Sequence, residues 1–211
     1  MHVTRKTDLY TCSSYIYTSG TWVYGDDRKN VVTDTTPITK PATLVAWRPA
    51  VEQEVLNSKV WNGIVARPGL LYGRGGSLVG PLFQSALNGK VQWPGTAGAR
   101  INVIHCDDLA NFYLLAAEKA HLIGGKVFAV VTETSESAED LLARLAHISG
   151  AKSWELTPPS NCKSFASAVT AMNSELIVLD SVRGSPLHYH PHSSLPCPDP
   201  FGLAASEARI C

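Results

Sequence analysis

The sequence predicts an α/β protein built around a parallel sheet. Segments rich in β-branched and aromatic residues alternate with segments whose apolar residues recur at helical spacing, as expected of strands joined by crossover helices. Glycines punctuate the pattern where helices should stop, at Gly89, Gly124-Gly125 and Gly150. Of 211 residues, 45% are hydrophobic and 17% charged. That composition suits a packed core rather than a disordered chain. Length alone suggests one domain.

Residues 1–12 are polar and without pattern. Ser13–Thr18 reads as a strand ended by a turn at Ser19-Gly20. Residues 25–41 read as a polar loop. Leu44, Trp47 or Arg48, Val51 and Val55 then recur at helical spacing. Pro49 requires this helix to start near Trp47 or to kink, because proline is tolerated only in a first turn. Gly63–Arg67 reads as a strand closed by Pro68-Gly69. The glycines at 73, 75 and 76 make a permissive loop before a helix over Ser77–Asn88.

Ile101–His105 reads as the next strand, with Cys106 a small buried residue in its apolar run. Asp107-Asp108 are placed to cap a helix bearing Leu109, Phe112, Ala116 and Ala120 on one face. Lys126–Val131 is a strand. Ser135–Ser149 is a helix with Leu141, Leu142, Leu145 and Ile148 inward. Beyond Arg183 the apolar periodicity ends, and 184–211 reads as an irregular Pro- and His-rich tail. His188, His190 and His192 alternate there without a second group of ligands, so no metal is expected.

Charge is balanced, with Lys+Arg 18 and Asp+Glu 18. A nucleic-acid partner bound through its phosphates would need a basic face, so none is expected. No apolar run approaches the ~20 residues that cross a bilayer, so no membrane partner is expected either. The five cysteines are dispersed and none forms a C-x-x-C pair. Reduced thiols and a cytoplasmic location are the corresponding expectations.

Three segments carry a resemblance. They are Tyr17-Thr18-Ser19-Gly20-Thr21-Trp22-Val23-Tyr24-Gly25, Arg67-Pro68-Gly69-Leu70-Leu71-Tyr72-Gly73, and Ile104-His105-Cys106-Asp107-Asp108-Leu109-Ala110. In this order and separation they resemble the NAD(P)-dependent epimerase/dehydratase family of extended or atypical short-chain dehydrogenases/reductases, over residues 13–183. Ala171–Ser174 and Asp180–Arg183 are similar to its closing segment.

That family opens with a strand, a G-x-x-G-x-x-G turn and a helix that receives the pyrophosphate, and this sequence contains no such turn. The resemblance therefore implies a partial Rossmann-like doubly wound sheet lacking its N-terminal dinucleotide-binding half, with a small α/β substrate-side region. A truncated gene product is the corresponding expectation, with the tail read through an altered frame or a retained intron.

In the family a Ser/Thr orients the substrate carbonyl, a Tyr moves the proton, and a Lys lowers the tyrosine pKa and holds the ribose. Carried over, the Ser/Thr position falls on Gly20, with Ser19 and Thr21 on either side as candidate catalytic hydroxyls. The lysine position falls on Arg48 and the tyrosine on Leu44. Setting Trp47 at the tyrosine instead puts Val51 at the lysine. An arginine can hydrogen-bond a ribose but cannot shuttle protons. Arg48 is accordingly a candidate for both the catalytic and the cofactor set.

The resemblance further implies NAD or NADP against Gly20, Arg48, Pro68, Gly69 and Leu70, with the backbone of 68–70 at the nicotinamide end. Tyr72, Arg100 and His105 fall on the substrate side. Arg100 stands one residue out of register with an arginine that grips a substrate phosphate, and reads equally as a surface charge. His105 is a base or a hydrogen-bonded strand-end residue, and Asp107 and Asp108 are caps or substrate contacts. Arg67 is placed to pair with a carboxylate such as Glu52. Tyr24 and Tyr72 are the phenols left near the cleft.

The implied function is an oxidoreductase acting on a small carbonyl or alcohol, a small-molecule partner, with a homodimer as the assembly common in the family. The alternatives are a dinucleotide-binding sensor or scaffold without turnover, and an inactive truncated product.

Overall fold

The computed structural model describes residues 13–157, apart from Asp26, Gly76, Leu78 and Thr134, together with the backbone of 177–179. Residues 1–12, the tail 184–211 and the closing segments at 171–174 and 180–183 lie outside the described residues. In chain order the elements are β1 (Ser14–Thr18), β2 (Asp27–Val32), α1 (Arg48–Leu56), β3 (Asn62–Pro68), β4 (Leu70–Tyr72), α2 (Gly80–Leu87), β5 (Lys90–Pro94) and β6 (Arg100–Ile101). They continue as β7 (Val103–His105), α3 (Cys106–Glu118), α4 (Ala120–Ile123), β8 (Val127–Val130), β9 (Glu136–Ser137), α5 (Ala138–Ser149), β10 (Ser153–Thr157) and β11 (Ile177–Leu179).

The central sheet is parallel, in the order β1-β3-β8, with Thr18 opposite Ala66 and Val65 opposite Val127. Ile64, Val65 and Ala66 are fully buried, because a parallel strand covered on both faces has no solvent side. One face takes α3, whose Leu109, Phe112 and Ala116 pack with Ile64, Ala66, Phe128 and Val130. The Phe112 and Phe128 rings meet edge to face, centroids 5.6 Å apart. A second cluster gathers Val23, Tyr24, Val32 and Val45 with Ala129 and Val131. The third seats α2 and α5 against β5 through Leu82, Val91, Trp93 and Leu142.

The remaining strand pairs are small. β4-β7, β5-β10 and β2-β11 are parallel, and β6-β9 is antiparallel. No helix among the described residues is long and apolar enough to cross a membrane.

Several expected elements change. The polar stretch 25–41 contains β2, and β4, β5 and β10 are strands without a sequence signal, because short pairs take their stability from their partners. Thr21–Tyr24 is a 3-10 turn, and β3 runs on through Pro68 as its last residue. Helix α1 starts at Arg48 with Pro49 in its first turn. Its supposed apolar stripe is not what seats it, since Leu44 and Trp47 are exposed while Glu52 and Val55 are buried.

The expected strand Ile101–His105 breaks at Asn102. Cys106 opens α3 half-buried instead of sitting in a strand. The cap of α3 is His105, whose Nδ1 accepts from the Asp107 amide at 3.2 Å, and Asp107 and Asp108 fill the first turn. Ile148 faces solvent rather than the core.

Candidate functional site

The first cluster of site residues lies at the carboxyl ends of β1 and β3, the end where open parallel sheets bind ligands. The Ser19 amide donates to the Ala66 carbonyl at 2.7 Å, which carries the ladder past Thr18 and fixes where the chain leaves the sheet. Gly20 comes next in an extended conformation. A Cβ placed there would stand 3.0 Å from Arg48 Nη1 and 3.8 Å from the Pro68 carbonyl oxygen. The missing side chain is therefore what lets the guanidinium reach the backbone between the two strands. Arg48 arrives as the first residue of α1, its guanidinium 5.5 Å from the Trp47 ring.

Two polar atoms in this cluster are buried and have no hydrogen-bond partner among the described residues, Ser19 Oγ and Arg48 Nε. Leaving such an atom unsatisfied costs about 1–3 kcal/mol, and native structures rarely tolerate it without a reason. Thr21 is also buried. The segment after β3 offers acceptors rather than donors. The Gly69 amide is committed to the Val130 carbonyl at 3.0 Å and that of Leu70 to Asn102 at 2.8 Å, while Pro68 has no N–H. The expected backbone contact through 68–70 is thus limited to carbonyl groups and the glycine Cα.

Behind this cluster lies a buried ion pair. Arg67 Nε donates to both Glu52 oxygens at 3.2 Å, Nη2 donates to Oε2 at 2.5 Å, and Nη1 donates to the Tyr24 hydroxyl at 2.7 Å. The guanidinium also stacks 4.7 Å from the Tyr24 ring centroid. Burial works against the arginine's charge, but its bonds to Glu52 and Tyr24 outweigh this and raise its pKa. Burial pushes the Tyr24 phenol up, with Arg67 opposing. Tyr24 is therefore a structural hydroxyl tied to the ion pair.

A phenol that sequence reasoning missed is Tyr17. It alternates with Tyr15 and Ser19 on one face of β1, while Thr18 on the opposite face bonds the Tyr113 hydroxyl at 2.7 Å. Burial raises the Tyr17 pKa, and the nearby Arg48 charge opposes the rise. The period-two alternation of residues 15, 17 and 19 was the signal for it.

The second cluster forms at the carboxyl ends of β4 and β7. Tyr72 stands opposite His105, with ring centroids 5.1 Å apart at 76°. Gly73 has φ +103°, and a Cβ there would lie 2.3 Å from His105 Nε2 and 3.1 Å from Cys106 Sγ, so the loop closes directly over both side chains. Arg74 then returns to α3, its Nε and Nη2 donating to Asp107 Oδ1 and Oδ2 at 2.8 and 2.9 Å. These bonds hold the Asp107 carboxyl below its usual range.

Donor atoms of His105, Cys106 and Asp107 lie within 4.8 Å of one another, a spacing that could hold a metal ion. Both Asp107 oxygens are taken by Arg74, however, and His105 Nδ1 is taken by the helix amide. The set is committed to the cap and the loop. Arg100 bonds the Ser135 hydroxyl at 2.7 Å and the Ser135 carbonyl, which ties β6 to the loop before β9.

No family model matches the chain, and no curated protein matches it. Solved structures do. A functionally unknown conserved protein from Silicibacter pomeroyi matches with TM-score 0.63 and 24% identity, over 79% of this chain and 56% of that one. The dTDP-glucose 4,6-dehydratase from Bacillus anthracis, solved in complex with NAD, matches with TM-score 0.60 and 18% identity over 69% and 49%. The human epimerase family protein SDR39U1, solved with NADPH, matches with TM-score 0.59 and 20% identity over 80% and 57%.

The fold is thus the Rossmann-like α/β fold of epimerase/dehydratase proteins. The chain spans about half the length of the solved structures it matches.

Proposed function

We propose that this chain supplies the nicotinamide-facing and substrate-side part of an NAD(P)-dependent oxidoreductase of the epimerase/dehydratase type, acting on a small carbonyl or alcohol. The observation that carries this reading is the pair of buried, unpartnered atoms Ser19 Oγ and Arg48 Nε, gathered around Gly20 and the Pro68 carbonyl. A nicotinamide riboside complements that set. Arg48 and Ser19 would hold its oxygens, and the Pro68 carbonyl would accept from its amide.

Support also comes from the two similar structures solved with NAD and with NADPH. The dinucleotide brings the hydride chemistry when bound. Arg48 holds the ribose side, Ser19 and Thr21 orient a carbonyl oxygen, and Tyr72 with His105 walls the substrate side. A cytoplasmic, homodimeric protein completes the reading.

Titration calorimetry with NADH and NADPH tests it. The sequence has no G-x-x-G-x-x-G turn to hold the pyrophosphate, so the expected affinity is weaker than micromolar. Gly20→Val puts a branched side chain against Arg48 and is expected to lower that affinity about tenfold or more, with the thermal midpoint retained. Equal affinity for the variant and the wild type would overturn the reading.

Binding without turnover is the second reading. Leu44 and Arg48 stand at the proton-relay positions, and Tyr24 is locked against Arg67. A panel of aldehydes and alcohols, followed through the absorbance of the reduced nicotinamide, separates the two: turnover of any member excludes the sensor.

A further inference from the structure

A small carbonyl or alcohol is a broad substrate class, and the charge of the Ser19 and Arg48 cluster narrows it. Ser19 is 4% exposed, and its Oγ and the Arg48 Nε are both buried with no hydrogen-bond partner among the described residues. Glu52, one turn further along α1, gives both oxygens to Arg67, so this carboxylate does not balance Arg48. Helix α1 adds positive potential at the same end, since its first turn has no acidic residue and no side chain caps it. The nearby Tyr17 phenol brings no charge, because burial favours its neutral form.

An unsatisfied N–H and O–H beside an uncompensated cation are the complement of an anion. Neither a nicotinamide riboside nor a neutral carbonyl compound supplies one. The surroundings select among anions. A Cβ at Gly20 would stand 3.0 Å from Arg48 Nη1 and 3.8 Å from the Pro68 carbonyl oxygen, so the guanidinium opens beside an acceptor. A phosphate would set a further charged oxygen against that acceptor. A planar carboxylate meets a guanidinium edge with both of its oxygens and has none left over.

We infer that Arg48 binds a carboxylate carried by the substrate, with the Ser19 hydroxyl beside it, so that the substrate class is oxo or hydroxy acids. The anion site stands on the unpartnered atoms and their charge. That its ligand is the substrate of an oxidoreductase rests on the reading above.

Oxamate and oxamide provide the probe, a planar pair alike in size of which only the first carries a carboxylate. Each is titrated into the whole chain by calorimetry at one pH and one salt concentration, with inorganic phosphate as a third arm. Oxamate is expected to bind, and oxamide and phosphate to bind about tenfold more weakly or worse. Arg48→Gln should lower the oxamate affinity about tenfold, and Ser19→Ala several-fold. Circular dichroism confirms that both variants are folded.

Equal affinities for oxamate and oxamide overturn the inference, as does tighter binding of phosphate. An oxamate affinity unchanged in Arg48→Gln overturns the assignment to Arg48. Where oxamate does not bind, the inference falls, and the NADH titration decides separately whether the nicotinamide reading stands.

Discussion

Arg67 enters the interior from β3 and is only 4% exposed, and Glu52, which meets it from α1, is fully buried. A charge so placed is tolerable only with its partner, so each residue fixes the other's position and with it the packing of α1 on the sheet. Glu52→Ala leaves the guanidinium uncompensated and should cost about 3–5 kcal/mol in urea denaturation. Glu52→Gln, which keeps one acceptor oxygen for the guanidinium, should cost less. The pairing was legible in the sequence, because an arginine ending a strand requires a carboxylate within reach. That Tyr24 joins it was not legible, since no local rule links residues 43 apart. The resemblance pointed to Arg48, whereas its buried Nε, without a partner among the described residues, emerges only once α1 packs beside Gly20 and Pro68.

At the scale of elements, the helices with full caps were the best defined. Ser137 accepts from the Asp140 amide at 3.3 Å, and Gly150 closes α5 at φ +70°. Ser137→Ala should destabilise the protein by about 1 kcal/mol, read as a lower thermal midpoint. A Gly substitution there should cost only a few tenths of a kcal/mol. Helix α3 shows the limit of such rules. Its aspartates looked like caps, but His105 takes that place because Gly73 and Tyr72 hold its ring over the helix end. The short strands β2, β4, β5 and β10 gave no alternation to read, for their residues are ordered by pairing rather than by their own pattern.

Over the molecule as a whole, the two clusters gather at the carboxyl ends of parallel strand pairs, the second beside the start of α3. The Arg74–Asp107 bridge links the β4–α2 loop to the helix, and it carries a pH signature. A carboxyl held low by Arg74 stabilises the fold above the ordinary aspartate pKa, about 3.9, and that stabilisation is lost as pH falls through the lower folded value. Asp107→Asn should therefore lower the thermal midpoint slightly near neutral pH. The difference should vanish in acid, and a gap that persists there would assign the effect to something other than this ion pair. Both partners are substantially exposed, so added salt should narrow the gap as well.

The sequence by itself determined the α/β class, the parallel β1 and β3 strands, the apolar face of α3 and the order of the three family-like segments. These depend on periodicity and on turn chemistry, which are local. Only the tertiary structure decided that Ser19, Gly20, Arg48 and Pro68 converge, that Tyr24 belongs to a buried ion pair, and that the amides of 69 and 70 are already bonded. Those facts are contacts between residues distant in the chain, set by how α1 and the sheet pack together, and local patterning carries no record of them.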